Sequence, residues 1–179
     1  MNRWLGLLVF SFILLVVNGC SQESQEQNRG QAQPTMGEKV ETVTETEGNQ
    51  MDIQLFFADD QALDLLESKG KLIFDKDEDK YKKAYLALTK SSDEKMVSLW
   101  EENDLAQVSF DEGTLTFDFK MTDHQLGSSG ERLQILSLLK TMFQFPEVKK
   151  IQLNNRGQES LNGHVDITEP FTRDMLAGL

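Results

Sequence analysis

The chain has 179 residues and carries 30 acidic against 18 basic side chains, a formal net charge of −12. That length allows one modest domain with extensions, and that charge excludes a nucleic-acid surface, whose affinity rests on clustered Lys and Arg. The single cysteine, Cys20, excludes a disulfide framework or a Cys-based metal site within one chain.

Met1, Asn2 and Arg3 form a short basic lead, followed by an apolar run over residues 4–17. This is the layout of a secretory signal peptide, and the run is shorter than the roughly 20 residues that span a bilayer core as a helix. Val17, Asn18, Gly19 and Cys20 resemble the lipobox of bacterial lipoproteins: a branched apolar residue, a variable one, a small one and an obligatory Cys. The resemblance implies a diacylglycerol on the Cys20 thiol and cleavage that leaves Cys20 first. Two acyl chains then anchor the protein to the outer face of the cytoplasmic membrane, each buried methylene contributing about 0.8 kcal/mol. Residues 1–19 thus read as a lipoprotein signal peptide. Residues 20–50 are rich in Gln, Glu, Ser and Thr with almost no large apolar side chain. They read as a flexible linker, a coil reaching about 30 Å.

The folded domain is expected over residues 51–179. Residues 52–57 alternate and then turn wholly apolar, which predicts a strand with a covered face. Residues 62–68 pair with it as a hairpin. A helix over 62–67 stays open, since Leu63, Leu65 and Leu66 do not settle the period, and Lys69-Gly70 punctuates the chain before an extended 71–74. The acids at 75–79 superficially resemble a calcium loop, yet Lys80 and Leu86 stand where an EF-hand needs Gly and Glu. They read as caps and first-turn charges of a helix whose buried stripe is Tyr81, Ala84, Tyr85 and Leu88. Met96, Val97, Leu99 and Trp100 are apolar enough to cover a core edge. Strands over 105–110 and 115–119 flank a hairpin turn at Gly113, with Leu115, Phe117 and Phe119 on one face.

Ser128 or Ser129 caps a second helix, with Glu131 within reach of a capping role. Leu133, Leu136, Leu139 and Phe143 form its stripe, widened by Ile135, Leu138 and Met142. Pro146 ends it, a strand follows over 148–153, and a turn through Gly157 returns a further strand through Ser160 and Leu161.

At these residues the chain resembles the GerMN domain, named after the sporulation and germination protein GerM. Gly127, Ser128, Glu131, Thr141, Phe145, Pro146, Val148, Ile151, Leu161, Gly163, His164, Asp166 and Pro170 carry the resemblance. It implies an α+β fold like the ring-building motifs of secretion systems: a small mixed or antiparallel sheet with two main helices packed on one face. It also implies a structural role for the signature residues, in extracytoplasmic and often lipid-anchored proteins.

Candidates for chemistry are few. His124 and His164 lie beside Asp123 and Asp166, without metal-ligand spacing on a common helix. His164 is expected in a tight turn, hydrogen-bonded to backbone. No feature singles out a carboxylate pair such as Asp166 with Glu169, and residues 127–130 lack a nucleophile elbow, although a helix N-terminus there could hold an anion. No catalytic residue, metal ligand or cofactor is assigned. The reading is a cell-envelope lipoprotein whose single domain is a non-enzymatic interaction or assembly module, in the sporulation and germination setting the family implies. Its partner is an unidentified envelope protein or further copies of itself. The alternatives are a small-ligand or cell-wall-binding lipoprotein, which needs a concave pocket, and a carboxylate-dependent envelope enzyme, which needs acids or histidines converging in a cleft.

Overall fold

The computed structural model describes residues 48–121 and 126–179. The alternation at 52–57 does give a strand, β1 (Asn49–Asp59), which begins two residues inside the stretch read as linker. It pairs antiparallel with β2 (Leu65–Phe74) in unbroken register from Asn49↔Phe74 to Ala58↔Leu65. Gly70 does not punctuate the ladder but sits within it opposite Ile53. The open helix alternative over 62–67 is not realised: Asp59 N–H bonds Asp64 O at 2.9 Å and the Asp59 carboxylate accepts Leu63 N–H at 2.8 Å, which closes a turn. β3 (Met96–Val97) adds to the other edge of β1 at Ala58 and Asp59.

A second sheet has the order β4-β5-β6-β7. β4 (Leu105–Asp111) and β5 (Thr114–Phe119) meet at Glu112 and Gly113, with φ of 43° and 86°. Positive φ at both positions is what a two-residue type I′ turn demands. β6 (Lys150–Asn155) lies parallel to β5, so the chain must cross over, and α2 (Ser128–Met142) is the crossover. β7 (Phe171–Thr172) closes the far edge against Lys150 and Ile151. The strand expected at 148–153 starts later because Val148 N–H bonds Phe145 O in the turn that follows α2. The strand expected through Ser160 and Leu161 does not form. Only an isolated bridge, Asn155↔Gln158, appears, because the Leu161 amide is taken by a side chain instead of a neighbouring strand.

The inner face of this sheet, Leu115, Phe117, Phe119, Ile151 and Leu153, is buried. α1 (Lys80–Leu88) lays its predicted stripe against it, and the Tyr85 ring sits 5.6–6.2 Å from those of Trp100, Phe117 and Phe119. α2 adds Ile135, Leu138, Leu139 and Met142 to the same core. The other face of β5 and β6 is polar, with Asn154 bonded to Asp118 at 2.8 Å. The fold is therefore α+β with both helices on one face of the larger sheet. The expected hairpin of β1 and β2 forms, but with β3 it makes a sheet of its own, a second layer instead of part of a single sheet. β1 packs on α2 and β2 on α1, and Ile53, Leu72 and Phe74 complete the core from that side.

Candidate functional site

Enclosed between two layers, α2 is buried around most of its circumference, polar positions included. Glu131, Gln134, Ser137 and Thr141 are all sealed from solvent. Their spacing of three and four places them along one side of the helix. Buried polar atoms need partners, and most of these have them. The Glu131 carboxylate accepts three backbone amides: Oε1 takes Leu161 N–H at 3.0 Å and Asn162 N–H at 2.8 Å, and Oε2 takes His164 N–H at 2.8 Å. Gln134 donates to Leu99 O at 2.7 Å and accepts from the Asn162 side chain at 2.9 Å. Ser137 Oγ accepts the Trp100 indole N–H at 2.9 Å and donates to Gln134 O at 2.8 Å. This seam fastens residues 99–100 and 161–164 to one helix. Thr141 Oγ1, with Asn155 Oδ1 and Asn162 Oδ1, lacks a partner.

Gly163 lets three amides converge on one carboxylate. Its φ of +93° turns the chain where a side chain would strain it, and its own N–H bonds Ser160 Oγ at 2.8 Å. Of the residues carrying the family resemblance, Glu131, Leu161, Gly163 and His164 thus come together. His164 contributes its own amide, not its imidazole. Gly127 is the extended N-cap of α2, and neither Ser128 nor Ser129 caps it through a side chain. Glu131, expected at that cap, turns inward to the loop. Thr141 lies at the far end of α2, Pro146 is exposed in the turn beyond it, and Pro170 precedes β7. Asp166 Oδ1 accepts Thr168 N–H at 2.8 Å and its hydroxyl at 2.6 Å, and these bonds hold the exposed carboxyl below its usual range. Cys20 with Val17, Asn18 and Gly19, and Asp123 with His124, fall outside the described residues.

A second polar cluster joins α1 to the turn after α2. Lys80 Nζ lies 2.6 Å from Glu147 and 2.8 Å from Asp77, while Tyr81 donates to Glu147 at 2.9 Å. The acids before α1 therefore do not cap it by side chain; Asp77 holds a lysine. Burial alone would lower the Lys80 pKa, but its bonds to Asp77 and Glu147 raise it overall. Burial pushes Glu147 up, and the bonds from Lys80, its own amide and Tyr81 outweigh that and hold it low. Arg173 closes the end of α2 by donating to the carbonyls of Phe143, Phe145 and Val148.

Among the described residues no group of three or more His, Cys, Asp or Glu could hold a metal. No helix among them is long and apolar enough to cross a membrane. A depression of about 740 Å³ lies over the β1–β2 hairpin, and Asp52 is its one carboxylate.

A family model described as "Germane: Sporulation and spore germination" matches residues 54–161, more than half of the chain. The chain belongs to the Germane family. The matched span of this Germane domain contains Glu131 and ends at Leu161, so the first amide of its carboxylate grip lies inside the span and the Gly163 turn just beyond it. Among solved structures, the first GerMN domain of the sporulation protein GerM from Bacillus subtilis is similar at TM-score 0.53 and 17% identity, over 69% of this chain and 98% of that one. A proposed lipoprotein from Clostridium perfringens is similar at TM-score 0.51 and 20% identity, over 73% of this chain and 92% of that one. At such identities the likeness concerns the fold. No curated protein matches the chain.

Proposed function

We propose that this Germane-family chain is a lipid-anchored, non-enzymatic interaction module on the outer face of the cytoplasmic membrane, acting in sporulation or spore germination. The observation that carries this reading is where the polar chemistry of α2 goes. Glu131, Gln134 and Ser137 are committed to backbone and indole groups of the chain itself, inside the fold. A scaffold so fastened offers its surface to partners. The family description supports the biological setting. The lipobox at Val17, Asn18, Gly19 and Cys20 supports the anchor, as does the likeness in fold to the proposed Clostridium lipoprotein.

The test is crosslinking in intact cells with mass spectrometry, comparing the native chain with Cys20→Ala. The expected result is a membrane-fraction protein crosslinked to an envelope partner, with both the fractionation and the crosslink lost in the variant. Recovery of no partner from either form, or an unchanged distribution of the variant, would refute it.

A further inference from the structure

The four-stranded sheet ends at β4, and no strand among the described residues pairs with its outer edge. Its pairing with β5 fixes what that edge presents. Asp111↔Thr114 closes a two-residue turn, so it is a hydrogen-bonded pair, and alternation makes Val108↔Phe117 and Phe110↔Leu115 non-bonded pairs. The N–H and C=O groups of Val108 and Phe110 therefore point away from β5, toward the open edge. The Lys120 N–H···O Asp104 bond of 2.8 Å at the other end makes Leu105↔Phe119 non-bonded in the same way, ahead of the bulge.

The other long edge is guarded. Lys69 and Lys71 line β2, as on many natural edges, and the free side of β1 at Gln54 is occupied by the Gln144 side chain, whose Oε1 accepts the Gln54 N–H at 2.8 Å. β4 has neither Lys nor Pro, and no charge from Ala106 to Phe110. Beside it, toward α1, run two adjoining depressions of about 600 and 440 Å³ that share Lys82 and Val108. The floor is apolar, with Phe110 39% exposed and its ring 5.2 Å from that of Tyr81. One end carries Asp77, Glu78 and Asp79, where Lys80 pairs with Asp77 at 2.8 Å and Lys76 lies 3.9 Å from Glu78; along the whole groove the lining acids Asp77, Glu78, Asp79 and Glu102 outnumber the lining bases Lys82 and Lys120.

We propose that this groove takes an extended basic segment of a partner protein, which adds to β4 as a strand. Its backbone bonds Val108 and Phe110, its alternate apolar side chains lie between β4 and α1, and its cationic residue meets Asp77, Glu78 and Asp79 beside Phe110. Charge argues against the two occupants nearest at hand. A second copy brings another net charge of −12, and residues 21–47 hold six Glu against Arg29 and Lys39. The proposal rests on the interaction-module reading and names the partner's chemistry.

The test uses the full chain and two fluorescent peptides of alternating Val and Thr, one flanked by lysines and one by glutamates. The lysine peptide should bind about tenfold more tightly than the glutamate peptide, a preference lost at high salt. The double change Glu78→Lys with Asp79→Lys should abolish the preference, and Val108→Pro, which removes an outward N–H, should weaken both peptides. Amide exchange at Val108 and Phe110 should slow on binding, which decides the matter on the native chain even if a variant fails to fold. Equal affinities, no saturable binding, or protection away from β4 would overturn the proposal. In cells, a photocrosslinking residue at Phe110 should capture the partner. Capture from Ile73 on β2 but not from Phe110 would sink this proposal alone, whereas capture from neither, with none in the Cys20 comparison, would sink the module reading as well.

Discussion

Changing Glu131 to Gln keeps the side-chain volume and replaces one acceptor oxygen by a donor. Oriented best, the Gln oxygen still accepts from Leu161 and Asn162, while its NH2 faces the His164 amide that Oε2 now accepts at 2.8 Å. A bond to a charged acceptor contributes roughly 1.5–3 kcal/mol. Because His164 is exposed and water can replace its partner, the expected loss is at the low end, about 2 kcal/mol. Glu131→Ala strands all three amides, including that of buried Leu161, and opens a cavity; about 4 kcal/mol is expected. Both are large against a total stability of roughly 5–15 kcal/mol. In urea, with a slope of about 2 kcal/mol per molar, the midpoints should fall by about 1 M and 2 M. Trp100, bonded to this helix, reports the transition in a Trp4→Phe background. Ser128→Ala and Ser129→Ala serve as controls and should stay within about 0.5 kcal/mol, because neither side chain caps α2. If Glu131→Gln matched the native midpoint, or left the exchange of the Leu161 and His164 amides unchanged, the grip on this loop would carry no energy and the reasoning would be wrong.

The Lys80–Glu147 pair predicts a pH dependence with a definite sign. Glu147 is held below its ordinary value of 4.5, so its contribution is present above that value and disappears as pH falls through the lower folded one. With Glu147 one-third exposed, Glu147→Gln should remove no more than about 1 kcal/mol of acid-dependent stability, read as a flatter melting curve between neutral and acid pH. Lys80 is raised above 10.5, so its share is present below that pH and is lost as pH climbs through the folded value. Gly163→Ala should cost about 1–2 kcal/mol by thermal melting, from backbone strain alone, because a Cβ there meets nothing within 4 Å. Arg173→Lys should destabilise by about 1–2 kcal/mol despite conserving charge, since a single ammonium cannot span three carbonyls. A melt unchanged by that substitution would count against the closure of α2.

Where burial follows a simple period, the sequence was legible. Tyr81, Ala84, Tyr85 and Leu88 recur at helical spacing against one wall, and Leu115, Phe117 and Phe119 alternate against the same wall; all are buried as the pattern demands. The pattern fails on α2, which is covered on two sides. Leu136, placed on its stripe, is only half-buried, whereas Gln134 and Ser137 are fully enclosed. No periodicity rule buries a glutamine, because what buries it is a loop 28 residues further on. The capping pattern misled for a related reason. A Glu just inside a helix start serves equally as a cap or as an acceptor for another segment, and the turn at Gly163 that supplies the competing amides is local to a different stretch. The resemblance had already gathered Glu131, Gly163 and His164, yet only the geometry shows that they touch. The run at 96–100 was read as a core edge, and Trp100 fulfils that, with an indole bond to α2 that its apolarity does not announce.

The seam of α2 also bears on why the open edge of β4 stays presentable. An exposed edge groove binds a segment well only if strand and helix hold their spacing, since ordering them on binding costs affinity. Here the spacing is fixed from both ends. Tyr81 touches Phe110 and Phe145 at 5.2 and 5.1 Å, and Lys80 ties the start of α1 to Glu147 in the turn beyond α2. At the other end Tyr85 donates to Glu101 O at 2.7 Å, next to Trp100, which is bonded to Gln134 and Ser137. Loosening the seam at Ser137 should therefore weaken peptide binding at β4 without altering any residue in the groove. Loosening it at Thr141, whose hydroxyl has no partner, should not.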